Sequence, residues 1–356
     1  MKKLTTALLG AAAAIAISGQ AMAADAKACF IYVGPIGDFG WSYQHHQGLL
    51  DVEAAFGDRV ETAYLESVPE GADAERAIER FARSGCDIIF TTSFGYMDAT
   101  NKVAAKFPDI KFEHATGYKR ETPNVATYSS KFYQGRYIQG QIAAKMSDAG
   151  VAGYIASFPI PEVVRGINSF ILGAQSVNPD FKLKVVWVNT WFDPAKEADA
   201  AKALLDQGVD ILTQHTDSTA PMQTAAERGV KAFGQASDMF AFGEGTQLTS
   251  IIDDWGPYYV ERVGAVLDGT WESTDKWEGL AEGNVAMAPY WNMPYDVAAM
   301  AKATEQDITV GRLEPFTGPI MKQDGTEWLA AGERADIGTL LGMNFYVQGV
   351  DDQLPQ

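Results

Sequence analysis

From residue 27 onward the chain alternates short apolar, β-rich runs with longer stretches of helical period, and this alternation narrows the fold more than any other feature. Residues 28–33 read as a buried strand and 42–56 as a helix. The series continues with strand 60–65, helix 72–84 ending at Gly85, strand 87–92, helix 97–106 ending before Pro108, and strands 110–114 and 125–128. Such repetition calls for parallel strands covered by helices on both faces. A second series starts after a break at 128–132. It runs helix 133–146, strand 151–157, helix 163–177, strand 183–188, helix 195–207, strand 209–214, helix 219–228 and strand 230–233. A strand at 247–252 and a helix at 258–267 follow, and then a Gly/Pro-punctuated tail in which no element is assigned. The expected fold class is α/β, with two doubly wound parallel-sheet lobes. One lobe takes 24–128, the other 129–245, and each takes part of 246–356, the tail passing between them more than once. Open sheets of this kind bind ligands at the carboxyl ends of their strands, so the cleft between the lobes is the expected site.

The amino terminus carries a second signal. Lys2 and Lys3 precede an apolar run at 8–17, and Ala21-Met22-Ala23 has the A-x-A form of a cleavage site. Residues 1–23 read as a secretory signal, too short in its apolar part to span a bilayer, so the mature chain is expected in the periplasm, uninserted in the membrane. Cys29 does not follow a lipid-attachment pattern, because Lys27 interrupts the small apolar run such a site needs. With 46 acidic against 28 basic residues the net charge is −18. No segment supplies the basic face of a general nucleic-acid binder.

The familiar reactive patterns fit poorly. Gly34-Pro-Ile-Gly37-Asp-Phe-Gly40 follows the first strand but lacks G-x-G-x-x-G spacing, and Asp38 would face the phosphates of a dinucleotide. His45 and His46 are adjacent, so a helix points them to different sides, unlike a metal pair. No G-x-S-x-G elbow occurs, and Asp253-Asp254 reads as surface or helix-start charge. No catalytic set, metal site or cofactor is therefore expected. The aromatic residues say more. Phe39 and Trp41 follow the first strand, Phe94 and Tyr96 follow strand 87–92, and Trp191 with Phe192 follows strand 183–188. Asp217 and Asp238 follow strands of the second series. All lie at carboxyl strand ends. Indoles facing one another beside a few carboxylates suit a flat heterocycle, stacked by the rings and oriented by hydrogen bonds to its polar edge.

A resemblance rests on several fragments in order: Gly37-Asp38-Phe-Gly-Trp41-Ser42 with Gly48, Phe94-Gly95-Tyr96, and Phe132-Tyr133-Gln-Gly-Arg-Tyr-Ile-Gln-Gly140. It continues through Pro159-Ile-Pro-Glu162, Ser176-Val-Asn-Pro179, Trp187-Val-Asn-Thr-Trp191-Phe-Asp193-Pro194, Gln214-His-Thr-Asp217, Gly234-Gln-Ala-Ser-Asp238 and Leu248-Thr-Ser250. With these the chain resembles the basic membrane protein family of exported solute-binding proteins, which includes bacterial purine nucleoside receptors. The resemblance implies a type I periplasmic binding protein fold. It also implies a base stacked between Trp41 and Trp191, with Asp217 or Asp238 on its polar edge and Asp38, Phe39, Phe94 and Tyr96 around it. Ala236 stands where the family carries a second carboxylate, and Asp253 where it carries a Lys, both in the sugar-handling region. The expected ligand is thus a free purine, adenine or else guanine or hypoxanthine, rather than a nucleoside. A nucleoside or another flat heterocycle is the alternative. The expected partner is an inner-membrane ABC permease, served by a monomer that is not an enzyme. A ligand-sensing partner of a membrane receptor and an exported nucleoside hydrolase are the readings from other classes.

The two cysteines remain. Cys29 opens the first strand and Cys86 the third. In a flavodoxin-like strand order these strands are parallel neighbours ~4.8 Å apart, within reach of a disulfide at the end away from the cleft. Two buried free thiols are the open alternative.

Overall fold

The computed structural model describes residues 24–355; the secretory signal read at 1–23 lies outside them. The first series forms β1 (Ala26–Ile31), α1 (Trp41–Phe56), β2 (Val60–Leu65), α2 (Ala72–Arg83), β3 (Ile88–Thr91), α3 (Met97–Ala104), β4 (Lys111–Ala115) and β5 (Val125–Ser130). The second forms α4 (Phe132–Met146), β6 (Val151–Ala156), α5 (Pro161–Gln175), β7 (Lys182–Trp187), α6 (Pro194–Asp206), β8 (Ile211–His215), α7 (Ala220–Arg228), β9 (Lys231–Gly234) and β10 (Gln247–Asp253). The remaining chain adds α8 (Gly256–Leu267), β11 (Asp275–Glu278), β12 (Val285–Met287), α9 (Tyr295–Thr309), β13 (Ile320–Met321), β14 (Glu327–Leu329) and α10 (Ile337–Leu341).

The strands make two six-stranded sheets and one small hairpin, β13–β14. The first sheet has the order β2-β1-β3-β4-β5-β11 and is parallel throughout. The second has the order β7-β6-β8-β9-β10-β12, with only β12 antiparallel. Central strands such as β3 and β8 are buried at every position, as sheets covered on both faces require. Each sheet with its helices is one lobe. Within the tail that resists assignment from sequence, β11 joins the first sheet and β12 the second.

Helices α4 and α5 cross in close backbone contact. A Cβ on Gly140 would overlap the Phe170 carbonyl oxygen, and one on Gly173 the Tyr137 carbonyl oxygen. Two glycines here let the helix backbones touch. Residues 340–347 clamp α5 from outside. Asn168 donates to the Phe345 carbonyl at 2.8 Å and accepts from the Val347 N–H at 3.0 Å, and Arg165 donates to the Leu340 carbonyl at 2.6 Å.

β1 and β3 are parallel neighbours, with Cys29 in register with Ile89. Cys29 and Cys86 are joined in a disulfide with their Cα atoms 6.0 Å apart; Cys86 precedes β3 as expected, but Cys29 is the fourth residue of β1 and does not open it, because the strand begins at Ala26. Of the adjacent pair His45 and His46, His45 is fully buried, its Nδ1 2.5 Å from the Tyr259 hydroxyl and its ring stacked on Trp255. Burial holds it well below the usual histidine pKa, hence neutral. His46 is half-buried.

Candidate functional site

The carboxyl ends of the two sheets face each other across a slot. Val33, Trp41, Ser93, Phe94 and Thr116 line it from the first lobe. Glu162, Trp191, His215, Asp217 and Gln235 line it from the second. The enclosed space is about 20 Å³, roughly what one water needs. Phe94, Thr116 and Glu162 also line a neighbouring cavity of about 480 Å³. Lys131, Tyr133, Arg165 and Trp277 line that cavity, together with Glu314 and Arg334 of the C-terminal segment.

Trp41 begins α1 and is wedged from behind. His45 lies 4.4 Å from it edge-on, Trp255 5.4 Å, and Phe132 6.0 Å. Its ring N–H donates to the Thr92 carbonyl at 2.6 Å, within the same lobe. Trp191 is half-buried, tilted against Phe158 at 5.0 Å, and its ring N–H donates to Glu70 of the opposite lobe at 3.2 Å. Both indole N–H groups are thus held by protein acceptors.

The polar wall belongs to the second lobe. Glu162 Oε2, His215 Nδ1 and Asp217 Oδ2 are buried without a hydrogen-bond partner in the protein. His215 Nε2 lies 3.4 Å from Glu162 Oε1. Burial lowers the His215 pKa, with Glu162 opposing. Burial also raises the Asp217 carboxyl well above the usual range, and the charges of Asp38 and Glu197 add to the shift. Behind this wall Asp253 is fully buried with both oxygens unpartnered. Burial raises its pKa too, and Glu162 adds to the effect. Arg136 reaches forward from α4 to Gln235.

Of the residues singled out from sequence, Trp41, Phe94, Trp191 and Asp217 come together on the slot. The other four are placed elsewhere. Asp38 is buried, but its carboxylate accepts the backbone N–H groups of Gly40 at 2.8 Å, Ser42 at 3.1 Å and Tyr43 at 3.0 Å, closing the amino end of α1. Burial pushes its pKa up to about 6 against these bonds. Phe39 is 42% exposed, with a φ of 60°, and packs on Phe242 at 4.8 Å. Tyr96 is fully buried in the first lobe, its hydroxyl donating to the Val68 carbonyl at 2.5 Å. Asp238 is exposed and accepts from the Phe240 N–H at 3.1 Å and Gln247 Nε2 at 2.6 Å. Glu162, His215 and Gln235 are missing from the sequence-derived site, although each stands inside a fragment that carries the family resemblance.

The lobes touch directly beside the slot. A Cβ on Gly40 would lie 2.5 Å from the Asp217 carbonyl oxygen and 2.8 Å from its Cα. The Ser237 hydroxyl donates to the Phe39 carbonyl across the same seam. These contacts describe closed lobes. Among the described residues no helix is long and apolar enough to cross a membrane, and no group of three or more His, Cys, Asp or Glu is placed to hold a metal.

Comparison with known proteins agrees with this architecture. The chain is 67% identical to a purine-binding protein of Brucella abortus, over 93% of this chain and 94% of that one. It is 38% identical to a putative ABC transporter glucose-binding protein of Haloferax volcanii, over 92% and 81% of the two chains. An ABC transporter solute-binding protein from Aeropyrum pernix shares the fold at a TM-score of 0.71 and 20% identity, covering 81% of this chain and 92% of its own. Residues 26–310 match the family described as Bmp, ABC transporter substrate-binding protein PnrA-like. The chain belongs to the Bmp family of ABC transporter substrate-binding proteins and has the type I periplasmic binding protein fold.

Proposed function

We propose that this protein captures a free purine, adenine first among them, and delivers it to an inner-membrane ABC permease. The observation that carries the reading is the slot itself. Two indoles from opposite lobes border it with their N–H groups already bonded, so their faces are what they offer. Three unpartnered polar atoms of Glu162, His215 and Asp217 line one side, suited to ring N–H and amino groups. A base enters when the lobes part, because its two walls belong to different lobes. Closure then desolvates it and presents the closed shape to the permease. The more similar of the two relatives described above is named for purines. The sugar-handling positions favour a base over a nucleoside: Ala236 is buried without a carboxylate, and Asp253 sits sealed behind the wall. Export to the periplasm under the 1–23 signal and action as a monomer complete the proposal, with the first lobe built from 24–128, the second from 129–245, and each completed from 246–356.

Calorimetric titration with adenine is the test. Trp41→Ala and Trp191→Ala should each weaken binding about 5- to 150-fold, in line with ~1–3 kcal/mol per stacked base. Unchanged affinity in both variants removes the stacking site. Release of free base from inosine by the purified protein would favour the hydrolase reading instead.

A further inference from the structure

We infer that Glu70 is a positioning residue that completes the stacking site only when the lobes close. The inference rests on the purine reading above. Glu70 does not line the slot, yet its Oε1 gathers three donors from around it. The Ser93 hydroxyl donates at 2.6 Å, the Gly95 N–H at 3.2 Å and the Trp191 ring N–H at 3.2 Å. Ser93 and Gly95 flank Phe94 on the first lobe, and Trp191 belongs to the second. One carboxylate oxygen therefore joins an aromatic wall of each lobe.

The carboxylate stands on a fixed base. Ser67 donates its N–H to the Gly34 carbonyl at 3.0 Å and Val68 to the Tyr32 carbonyl at 3.0 Å, while Tyr96 donates to the Val68 carbonyl. Gly95 leaves room for it, since a Cβ there would overlap the Glu70 carboxylate. The buried Tyr96, with no place in the slot, thus has a place one step behind it.

The two indoles differ in what sets them. The Trp41 ring is tied to Thr92 inside its own lobe, so its plane is fixed whether the lobes are open or closed. The Trp191 ring is tied across the cleft, so its N–H bond exists only in the closed form. A base meets one finished wall first, and the second is locked by closure. Glu70 acts through Trp191 and governs how long the base stays, more than how fast it arrives.

A double-mutant cycle tests this with adenine as the probe. Glu70→Ala should weaken binding about five- to tenfold, carried by faster dissociation with association unchanged. Glu70→Gln, which keeps an oxygen acceptor, should restore most of that loss. Trp191→Phe keeps an aromatic face but has no N–H, so adding Glu70→Ala to it should cost no further affinity. If Glu70→Ala costs the same factor in both backgrounds, or leaves dissociation unchanged, the inference fails. The melting temperatures of the unliganded variants separate a general loss of fold from lost positioning. A wild-type protein that does not bind adenine overturns the purine reading. One that binds adenine without coupling between Glu70 and Trp191 overturns only this inference.

Discussion

Replacing Gly40 by Ala should impair ligand capture while sparing the fold. The added Cβ would lie 2.5 Å from the Asp217 carbonyl oxygen, 2.8 Å from its Cα and 2.9 Å from its Cβ. The opposing atoms include backbone, so no rotamer change relieves the overlap. Carbon and oxygen pack comfortably at about 3.5 Å, so the lobes must stay apart by about 1 Å at this seam. The displacement carries to the slot, because the Asp217 N–H is bonded to the Trp191 carbonyl at 3.0 Å. Moving Asp217 therefore moves the second indole away from the base. Losing one stack costs ~1–3 kcal/mol, or about 5- to 150-fold in Kd. The contact lies between lobes, so the unliganded protein should melt within a few degrees of wild type, allowing for the small difference between Gly and Ala at a helix start. Calorimetry with adenine gives the affinity, and small-angle scattering with and without adenine gives the extent of closure. A Gly40→Ala protein that binds adenine at wild-type affinity and closes fully would refute the reasoning.

Three other outcomes are expected. Removing the disulfide as Cys29→Ala/Cys86→Ala should cost about 4 kcal/mol, since it closes a 57-residue separation, and should leave adenine affinity unchanged; two reactive thiols in the denatured, unreduced wild type would contradict the bridge. Competition titration should rank adenine or guanine above adenosine and guanosine, and the reverse ranking would overturn the free-base reading. Asp38 is raised from 3.8 to about 6, so the folded chain keeps a proton there that the unfolded chain has released. The stability it carries is complete below about pH 4 and is lost as the pH rises through about 6. Melting temperature plotted against pH over that window should fall less steeply for Asp38→Asn, and an identical slope would count against the raised carboxyl.

Elements through α8 are legible in the sequence because short apolar strands and longer amphipathic helices alternate regularly there. The strand expected at 60–65 is β2, and the helix expected at 72–84 is α2 with one residue fewer. In the tail β12, β13 and β14 span only two or three residues each, too short for a period, and the 15-residue α9 stands outside any strand–helix alternation that would frame it. The site divides along similar lines. Trp41 and Trp191 stand at strand ends, where bulky aromatics show. Asp38 has the same position and composition, but its acceptors serve the start of α1 instead of the slot. A single sequence does not tell a capping carboxylate from a binding one when both follow a strand. Glu162 is hidden for a different reason: it stands in the first turn of α5, where an acidic residue needs no ligand to explain it.

The late return of the chain to the first lobe sets the order in which the protein can be built. Tyr259 of α8 lies 4.4 Å from Phe90 and 5.2 Å from Phe30, at the centre of the first sheet's core. The edge strand of that sheet, β11, ends only at Glu278. A nascent chain that has emerged through α4 therefore has five strands of a sheet whose aromatic core is still open on one side. The second lobe finishes later still, when Val350 pairs with Leu183 beside the edge strand β7. Neither lobe is complete when its own strand–helix series ends: the first waits for β11 and the second for the pairing at Val350.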